Sequence, residues 1–305
     1  MADWDAELVV DGSLVRTLLA EQFPEFDPSS ARLLGEGWDN SVWAVDEVWA
    51  FRFPRRAIAI PGVEREIAVL PGLAPLLPVP IPEPRRVGVP SETFRWPFVG
   101  TPLLPGREPA DAGLLDHERD ALAPGLARFL RTLHARETLD AVDPTRALPV
   151  DFNRRADATL RVARARENLA YLRDASIWSP PASMEGILSA SERLPPSRAE
   201  LVLTHGDLHQ RHVLVSQGRL SAVIDFGDVC LADPCIDLIP LWSLLTPRGR
   251  VQFFADYGAI TDDQLLRSRV LAIVLDSMLA RYAQDVGHAS LQREAIAGLE
   301  RTLIE

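Results

Sequence analysis

A change of rhythm along the chain constrains its fold more than any single residue does. About the first hundred residues read as short β runs broken by turn signals, and most of the remaining chain carries a helical period. In ARLLGEGWDNSVWAVDEVWAFRFPRR two β-rich runs, Ser41 to Val45 and Val48 to Phe53, flank Asp46-Glu47, with a Gly-rich bend ahead of them. This predicts a hairpin with a loop in front of it. GVEREIAVLPGL sets Val63, Ile67 and Leu70 at helical spacing and stops at Pro71-Gly72, which predicts a short helix with its acidic side chains on another face. LLPVPIPEPRRVGVP is too rich in proline for a central strand and reads as an extended connector, and RWPFVGTPLLPGREP as one more strand with an irregular exit. Strands first and helices afterwards define an α+β chain, with an N-terminal part over residues 1–104 and a helical part over 105–305.

In the helical part, Leu126, Phe129, Leu130 and Leu133 follow the spacing of an amphipathic helix, and Arg154 to Arg173 predicts a second, more charged one. Two β-like runs then interrupt the helices, Val213-Leu214-Val215 and Ala222-Val223-Ile224, joined by Ser216-Gln217-Gly218. This hairpin carries the densest group of acids and histidines. Residues 240–305 are helical again by period, without a low-complexity tract or repeat.

Bulk properties narrow the functional classes. A chain of 305 residues and 33.7 kDa with 47% hydrophobic residues can bury a full core. A net charge of -11 and a pI near 5.1 argue against a nucleic-acid partner and favour cationic ligands mildly, although acidic surfaces also serve solubility alone. The opening MADWDAELVV has acids where a signal peptide would be basic, and no apolar run reaches the ~18 residues that span a bilayer, so a cytoplasmic protein without membrane contact is expected. Cys230 and Cys235 are too few for a disulfide framework or a thiolate zinc site, and read as reduced thiols. The chain contains no lysine, so its 32 positive side chains are all Arg and any basic contact to phosphate must come from Arg or His.

Four local signals carry chemistry. The stretch Gly35-Glu36-Gly37-Trp38-Asp39-Asn40-Ser41 precedes a β run; its glycines let backbone N–H groups approach phosphates, and Asn40 can take the left-handed conformation a third glycine would have supplied. An ordinary glycine turn gives the same pattern. Arg52, on the strand after it, can bind donor phosphates, with Glu66 holding the cation and Glu64 as a competing partner. In THGDLHQRHVLV, Asp207 is placed to accept or orient the proton of an attacking hydroxyl, and His212 stands at the offset of a metal ligand. In VIDFGD, Asp225 offers the hard carboxylate oxygen that Mg²⁺ prefers.

Together these motifs resemble the aminoglycoside phosphotransferase family, whose members resemble protein kinases in fold and typically read HGDLHxxN followed by IDF or IDW. The likeness runs from LLGEGWDNSVWAV through FRFPRR, REIAVLP and HGDLHQRHVLV to VIDFGDVCLADPCIDL, and is loose between Asp111 and Glu200. It is closest to the branches resembling 2''-aminoglycoside and macrolide kinases, where His occupies the usual Asn position as His212 does here. The resemblance implies a two-lobed, kinase-like α+β fold: a nucleotide-binding antiparallel sheet lobe, then a catalytic helical lobe. It implies Mg²⁺ on His212 and Asp225, and ATP and/or GTP as donor bound at Gly35, Gly37, Asn40, Ser41, Arg52 and Glu66. Backbone groups near Thr101 and Leu103 would read the base edge. Thr101 is expected at the position where an aromatic side chain excludes adenine in relatives that prefer GTP, with Trp96 and Phe98 as alternatives, so ATP should be used. Asp237 would brace the catalytic loop, and His205 and His209 would order it by hydrogen bonds. The expected acceptor is a hydroxylated antibiotic, an aminoglycoside first. A macrolide, another antibiotic or a metabolite are the alternatives, and a catalytically weak nucleotide-binding regulator is the reading from another class. A monomer is expected.

Overall fold

The computed structural model describes residues 6–37 and 39–304. The chain divides into two compact units: one takes in the described chain up to Leu76 with Pro80–Leu104 and Asp225–Val229, the other Leu77–Val79, Pro105–Ile224 and the chain from Cys230 onward.

The first unit is built on helix α1 (Gly12–Gln22), the strands β1 (Arg32–Glu36), β2 (Asn40–Val45) and β3 (Trp49–Pro54), helix α2 (Ile60–Leu73), and the strands β4 (Arg86–Gly88) and β5 (Phe98–Pro102). The sheet is antiparallel in the order β1-β2-β3-β5-β4. Successive strand residues point to opposite faces, so the register sorts the side chains. Ser41, Trp43, Phe51, Phe53 and Phe98 share one face, while Val42, Ala50, Arg52, Val99 and Thr101 share the other. The first face is the core. Val15, Leu18 and Leu19 of α1, spaced as one helical stripe, close over it, and Asp11 caps that helix by accepting from the N–H groups of Ser13 and Leu14 at 2.9 Å. The rings of Phe53 and Phe98 stack with centroids 4.7 Å apart, and each fully buried Phe contributes about 1.5–3 kcal/mol.

Helix α2 departs from its expected form twice. It runs through Pro71 to Leu73, because a proline in the last turn removes a single hydrogen bond while Leu70 and Leu73 remain buried there. Glu66 lies on the packed face at 1% exposure, not on a solvated one.

The second unit contains helices α3 (Pro109–Ala112), α4 (Asp116–Leu133), α5 (Arg136–Val142), α6 (Ala158–Asp174) and α7 (Ala182–Glu192). Strands β6 (Val202–Thr204), β7 (Val213–Ser216), β8 (Arg219–Val223) and β9 (Cys230–Ala232) come next, and then helices α8 (Ile239–Ser243), α9 (Pro247–Tyr257), α10 (Asp262–Val286) and α11 (Ala289–Arg301). Leu126, Phe129, Leu130 and Leu133 are buried as their spacing requires. Helix α6 begins at Ala158 and not at Arg154, because Asp157 accepts from the N–H of Leu160 and fixes the start, while Arg154 sits at φ 51° in the turn before it. Its stripe Val162, Ala165, Leu169 and Leu172 packs with α7, α10 and α11 in one core. Strands β7 and β8 form the expected hairpin, its two-residue turn Gln217-Gly218 at positive φ. Strand β6 pairs with β9, and between β6 and β7 runs the histidine-rich loop. Both cysteines are free and buried. Among the described residues no helix is long and apolar enough to cross a membrane.

Candidate functional site

In the first unit β3 positions a cation. Phe51 and Phe53 enter the core, so strand alternation turns Arg52 to the opposite face, where it forms an ion pair with Glu66 of α2. The choice between Glu64 and Glu66 is thereby made: Glu64 is exposed. Arg52 also reaches the Asp225 carboxylate at 3.4 Å. Its Nε remains buried without a partner among the described residues, as does Glu66 Oε1. Burial pushes the Arg52 pKa down and the Asp225 charge pushes it back up.

Asp225 itself stands at φ 67°, a left-handed conformation that Asp tolerates better than most residues. The turn it opens is held from α2. Arg65 donates to the Gly227 carbonyl through Nε at 3.1 Å and through its second terminal nitrogen. Gly62 lets the helix approach so closely that a Cβ there would lie 3.1 Å from the same carbonyl oxygen. Sequence reasoning does not find Gly62 or Arg65; the one signal for them in GVER is a glycine on the inward side of the helix.

The glycine-rich stretch forms the tip of the β1–β2 hairpin, closed by the Gly37 N–H donating to the Asn40 carbonyl at 2.8 Å; Trp38 lies outside the described residues. Arg55 donates to the Gly37 carbonyl at 3.2 Å, and Arg56 pairs with Asp39 at 2.9 Å. Burial raises the Asp39 pKa, and Asp225 and Asp228 add to the rise against the pull of Arg56. Gly35 sits within β1 beside open space. Two expectations need correction. Asn40 is not left-handed, because it opens β2 paired with Pro54. The Ser41 side chain belongs to the core face, where its hydroxyl accepts from the Trp43 indole at 2.7 Å, so it is turned away from the face that carries Arg52.

At the end of the sheet the register revises the base-reading groups. Thr101 pairs with Ala50 and shares the face of Arg52, whereas Phe98 and Trp96 are buried in the core. The Leu103 N–H is already spent on the Val48 carbonyl at 2.8 Å, continuing the β3–β5 ladder, and cannot be a base donor. Alternation leaves the Pro102 carbonyl directed away from β3.

In the second unit the loop from β6 is suspended on a buried carboxylate. Asp237, fully buried, accepts from the N–H of His205 at 2.7 Å and of Gly206 at 3.0 Å. His134, at the C-terminal cap of α4, lies behind it, Nε2 at 3.2 Å from Asp237 and Nδ1 at 2.8 Å from the Tyr257 hydroxyl. Asp207 is next in the loop, its carboxylate in an ion pair with Arg155, a residue of the turn before α6. Arg155 is fixed by Asp151, which accepts from the N–H of Arg155 at 2.7 Å. Nothing in LARFLRTLHAR or DFNRRAD marks His134 or Arg155 without the fold.

Hydrogen bonds assign the three imidazole tautomers. His205 Nδ1 accepts from the Asp207 N–H at 3.2 Å, so its Nε2 carries the hydrogen and donates to the Ile224 carbonyl at 2.9 Å. His209 Nδ1 accepts from the Arg211 N–H at 3.2 Å, so its Nε2 is likewise a donor, 3.7 Å from Asp207. His212 is reversed: Nδ1 donates to the Asp207 carbonyl at 2.8 Å, which puts the lone pair on Nε2. Asp207, His209 and His212 bring possible ligand atoms within 4.8 Å of one another, but a His209 with hydrogen on Nε2 is no metal ligand there. Burial holds the pKa of His205 below its usual value, and burial with nearby His212, Arg211 and Arg155 holds that of His209 well below. Both are neutral hydrogen-bonding parts of the loop.

A five-stranded antiparallel sheet carrying a strand cation on a helix carboxylate, with a helical remainder that suspends an HGD loop on a buried Asp, is the α+β kinase-like fold. A profile of the phosphotransferase enzyme family (APH) matches residues 30–269, and the chain belongs to that family. It is 30% identical over 164 residues to an aminoglycoside 3'-phosphotransferase of Streptomyces fradiae, a stretch covering 52% of this chain and 56% of that protein. The chain spans about half the length of the curated relatives it matches. Among solved structures, the GDP and kanamycin complex of APH(2")-IIia is 26% identical with a TM-score of 0.66, covering 94% of this chain and 97% of that one. The macrolide 2'-phosphotransferase MphH of Brachybacterium faecium, at 24% identity, TM-score 0.60 and coverage of 95% and 98%, is alike in fold.

Proposed function

We propose that this chain moves the γ-phosphoryl group of a nucleoside triphosphate to a hydroxyl of a small molecule, an antibiotic, with an aminoglycoside as the first acceptor to test. The observation that carries the reading is the loop holding Asp207, whose backbone is fixed on both sides, by Asp237 before it and by His212 after it. A carboxylate held in this way can accept a hydrogen bond from the acceptor hydroxyl and orient it. As the new phosphorus–oxygen bond forms and the bond to the diphosphate breaks, the hydroxyl proton passes to Asp207. Positioning matters more than basicity in so loose a transition state.

Arg52 supplies the charge for the donor phosphates in place of lysine. Its planar fork suits phosphate, Glu66 keeps it in place, and its buried Nε is an unspent donor of the kind an anion's oxygen satisfies. The residues also suit Mg²⁺: the Asp225 carboxylate is hard and 45% exposed, and His212 carries its lone pair on Nε2. Mg²⁺ on such ligands would neutralise charge on the donor phosphates. With Thr101 on the Arg52 face and the nearby aromatics in the core, adenine has room, so ATP is used, with or without GTP.

A second reading has its own observation. Arg155 stands on Asp207, and burial together with nearby Arg155 and Arg154 pushes the Arg161 pKa down, which favours a less cationic acceptor such as a macrolide or a hydroxylated metabolite. A weak nucleotide-binding regulator would need neither Asp207 nor Asp225 so placed. Formation of ADP from ATP and of GDP from GTP, measured against a panel of aminoglycosides, macrolides and simple alcohols, tests all three. Acceptor-dependent turnover is expected; a folded protein that binds nucleotide and turns over with no acceptor would refute phosphotransfer.

A further inference from the structure

Behind the catalytic loop, in the second unit, two buried polar side chains are only half satisfied. Gln210, between His209 and His212, is 1% exposed, and its Nε2 donates to Asp276 Oδ1 of α10 at 2.8 Å. Gln210 Oε1 and Asp276 Oδ2 are both buried without a partner among the described residues. Two acceptors left over in one side-chain pair are what a single hydrogen, placed on the carboxyl, would join. An amide and a neutral carboxylic acid can make two reciprocal hydrogen bonds, whereas an amide and a carboxylate make one and strand an oxygen.

We propose that Asp276 is a positioning residue held as the neutral acid, its Oδ2–H donated to Gln210 Oε1, so that a two-bond clamp fixes the loop between Asp207 and His212. Its surroundings agree. Burial raises the Asp276 pKa to about 8, with Glu294 adding to the rise and Arg301 opposing it. Arg301 is in turn spent on Glu294, which also takes both terminal nitrogens of Arg119 at 2.7 Å. The buried residues of α6, α7 and α8 add no titratable group, and the turn Pro234–Asp237 adds Cys235 and Asp237, the latter engaged by the loop N–H groups. On α11, Gly298 makes room for the carboxyl: a Cβ there would lie 2.3 Å from Asp276 Oδ2.

The positioning role rests on the phosphotransferase reading; the protonation does not, and the test separates them. Infrared difference spectra of the wild-type protein and Asp276→Asn at pH 7 should show a carboxylic-acid carbonyl band that only the wild type has. In turnover, Asp276→Asn can keep both hydrogen bonds through its amide, so it should retain most of kcat. The wild-type kcat should fall as pH rises through about 8, and this alkaline limb should be missing in Asp276→Asn. Asp276→Ala should lower kcat by about tenfold to a hundredfold, the scale of misplacing a catalytic group. Absence of the acid band in the wild type, the same alkaline limb in wild type and Asp276→Asn, or an unchanged kcat in Asp276→Ala would each overturn the proposal. Failure of the phosphotransferase reading would instead appear as absent turnover in the wild type with the acid band still present.

Discussion

The two units hold their functional side chains by different means. In the first, Arg52 is placed by a rigid strand and secured by charge, with Glu66 on one side and Asp225 on the other. In the second, the backbone around Asp207 is secured by buried hydrogen bonds that its N–H groups donate to the Asp237 carboxylate and to the His205 imidazole, which burial keeps neutral. A buried ion pair is sensitive to removal of one partner, because the survivor keeps its desolvation cost. A buried hydrogen-bond network is sensitive to geometry and to protonation. The first unit should therefore respond in donor binding and the second in the chemical step.

The sharpest way to break this contrast is Asp207→Asn. We expect kcat to fall by about 10²–10⁴ with the melting temperature and nucleotide binding unchanged; steady-state kinetics with a binding titration would check it, and unimpaired turnover would remove Asp207 from the mechanism. Glu66→Gln should act on the other term. Loss of its charge leaves Arg52 poorly held, so KM for the donor should rise about tenfold, ~1.4 kcal/mol, with a smaller change in kcat. A drop confined to kcat would show that the first unit does not act through donor binding.

His212→Asn should be milder. Its amide oxygen is a hard ligand, so activity at saturating Mg²⁺ is expected within about tenfold of the wild type, assayed beside Asp225→Ala, which should be inactive. Equal inactivity would mean that His212 does something other than hold metal. The smallest effect concerns pH. His205 and His209 have folded pKa values below their ordinary 6.5, so the unfolded chain takes up protons first as pH falls. Their contribution to stability is present above 6.5 and is lost as pH falls through it. Thermal melts should drop by a few degrees between about pH 7 and 5.5, and His209→Asn should flatten that slope; an identical slope would place the acid sensitivity elsewhere.

Several of these features are legible in the residue order because they are local. The β2–β3 pair follows from alternation, the stripe on α4 from helical spacing, and the β7–β8 turn from Gln217-Gly218, all governed by neighbours within a few positions. Arg52, Asp207, His212 and Asp225 can be picked out for the same reason: their chemistry sits in short motifs beside recognisable strands. The face of Ser41 is also there to be read, since it alternates in phase with Trp43 and Val45.

What the fold alone decided depends on residues distant in sequence. The spending of the Leu103 N–H on Val48, the burial of Glu66 rather than Glu64, and the meeting of Arg155 with Asp207 each need two segments in register. The same holds for Asp237 under the loop and for Asp276 against Gln210. Pattern reports which side of an element is apolar, whereas the partner of a buried polar group is set by which other element closes over it. That closure is a property of the whole chain, and it turns candidate acids and cations into particular pairs with particular protonation states.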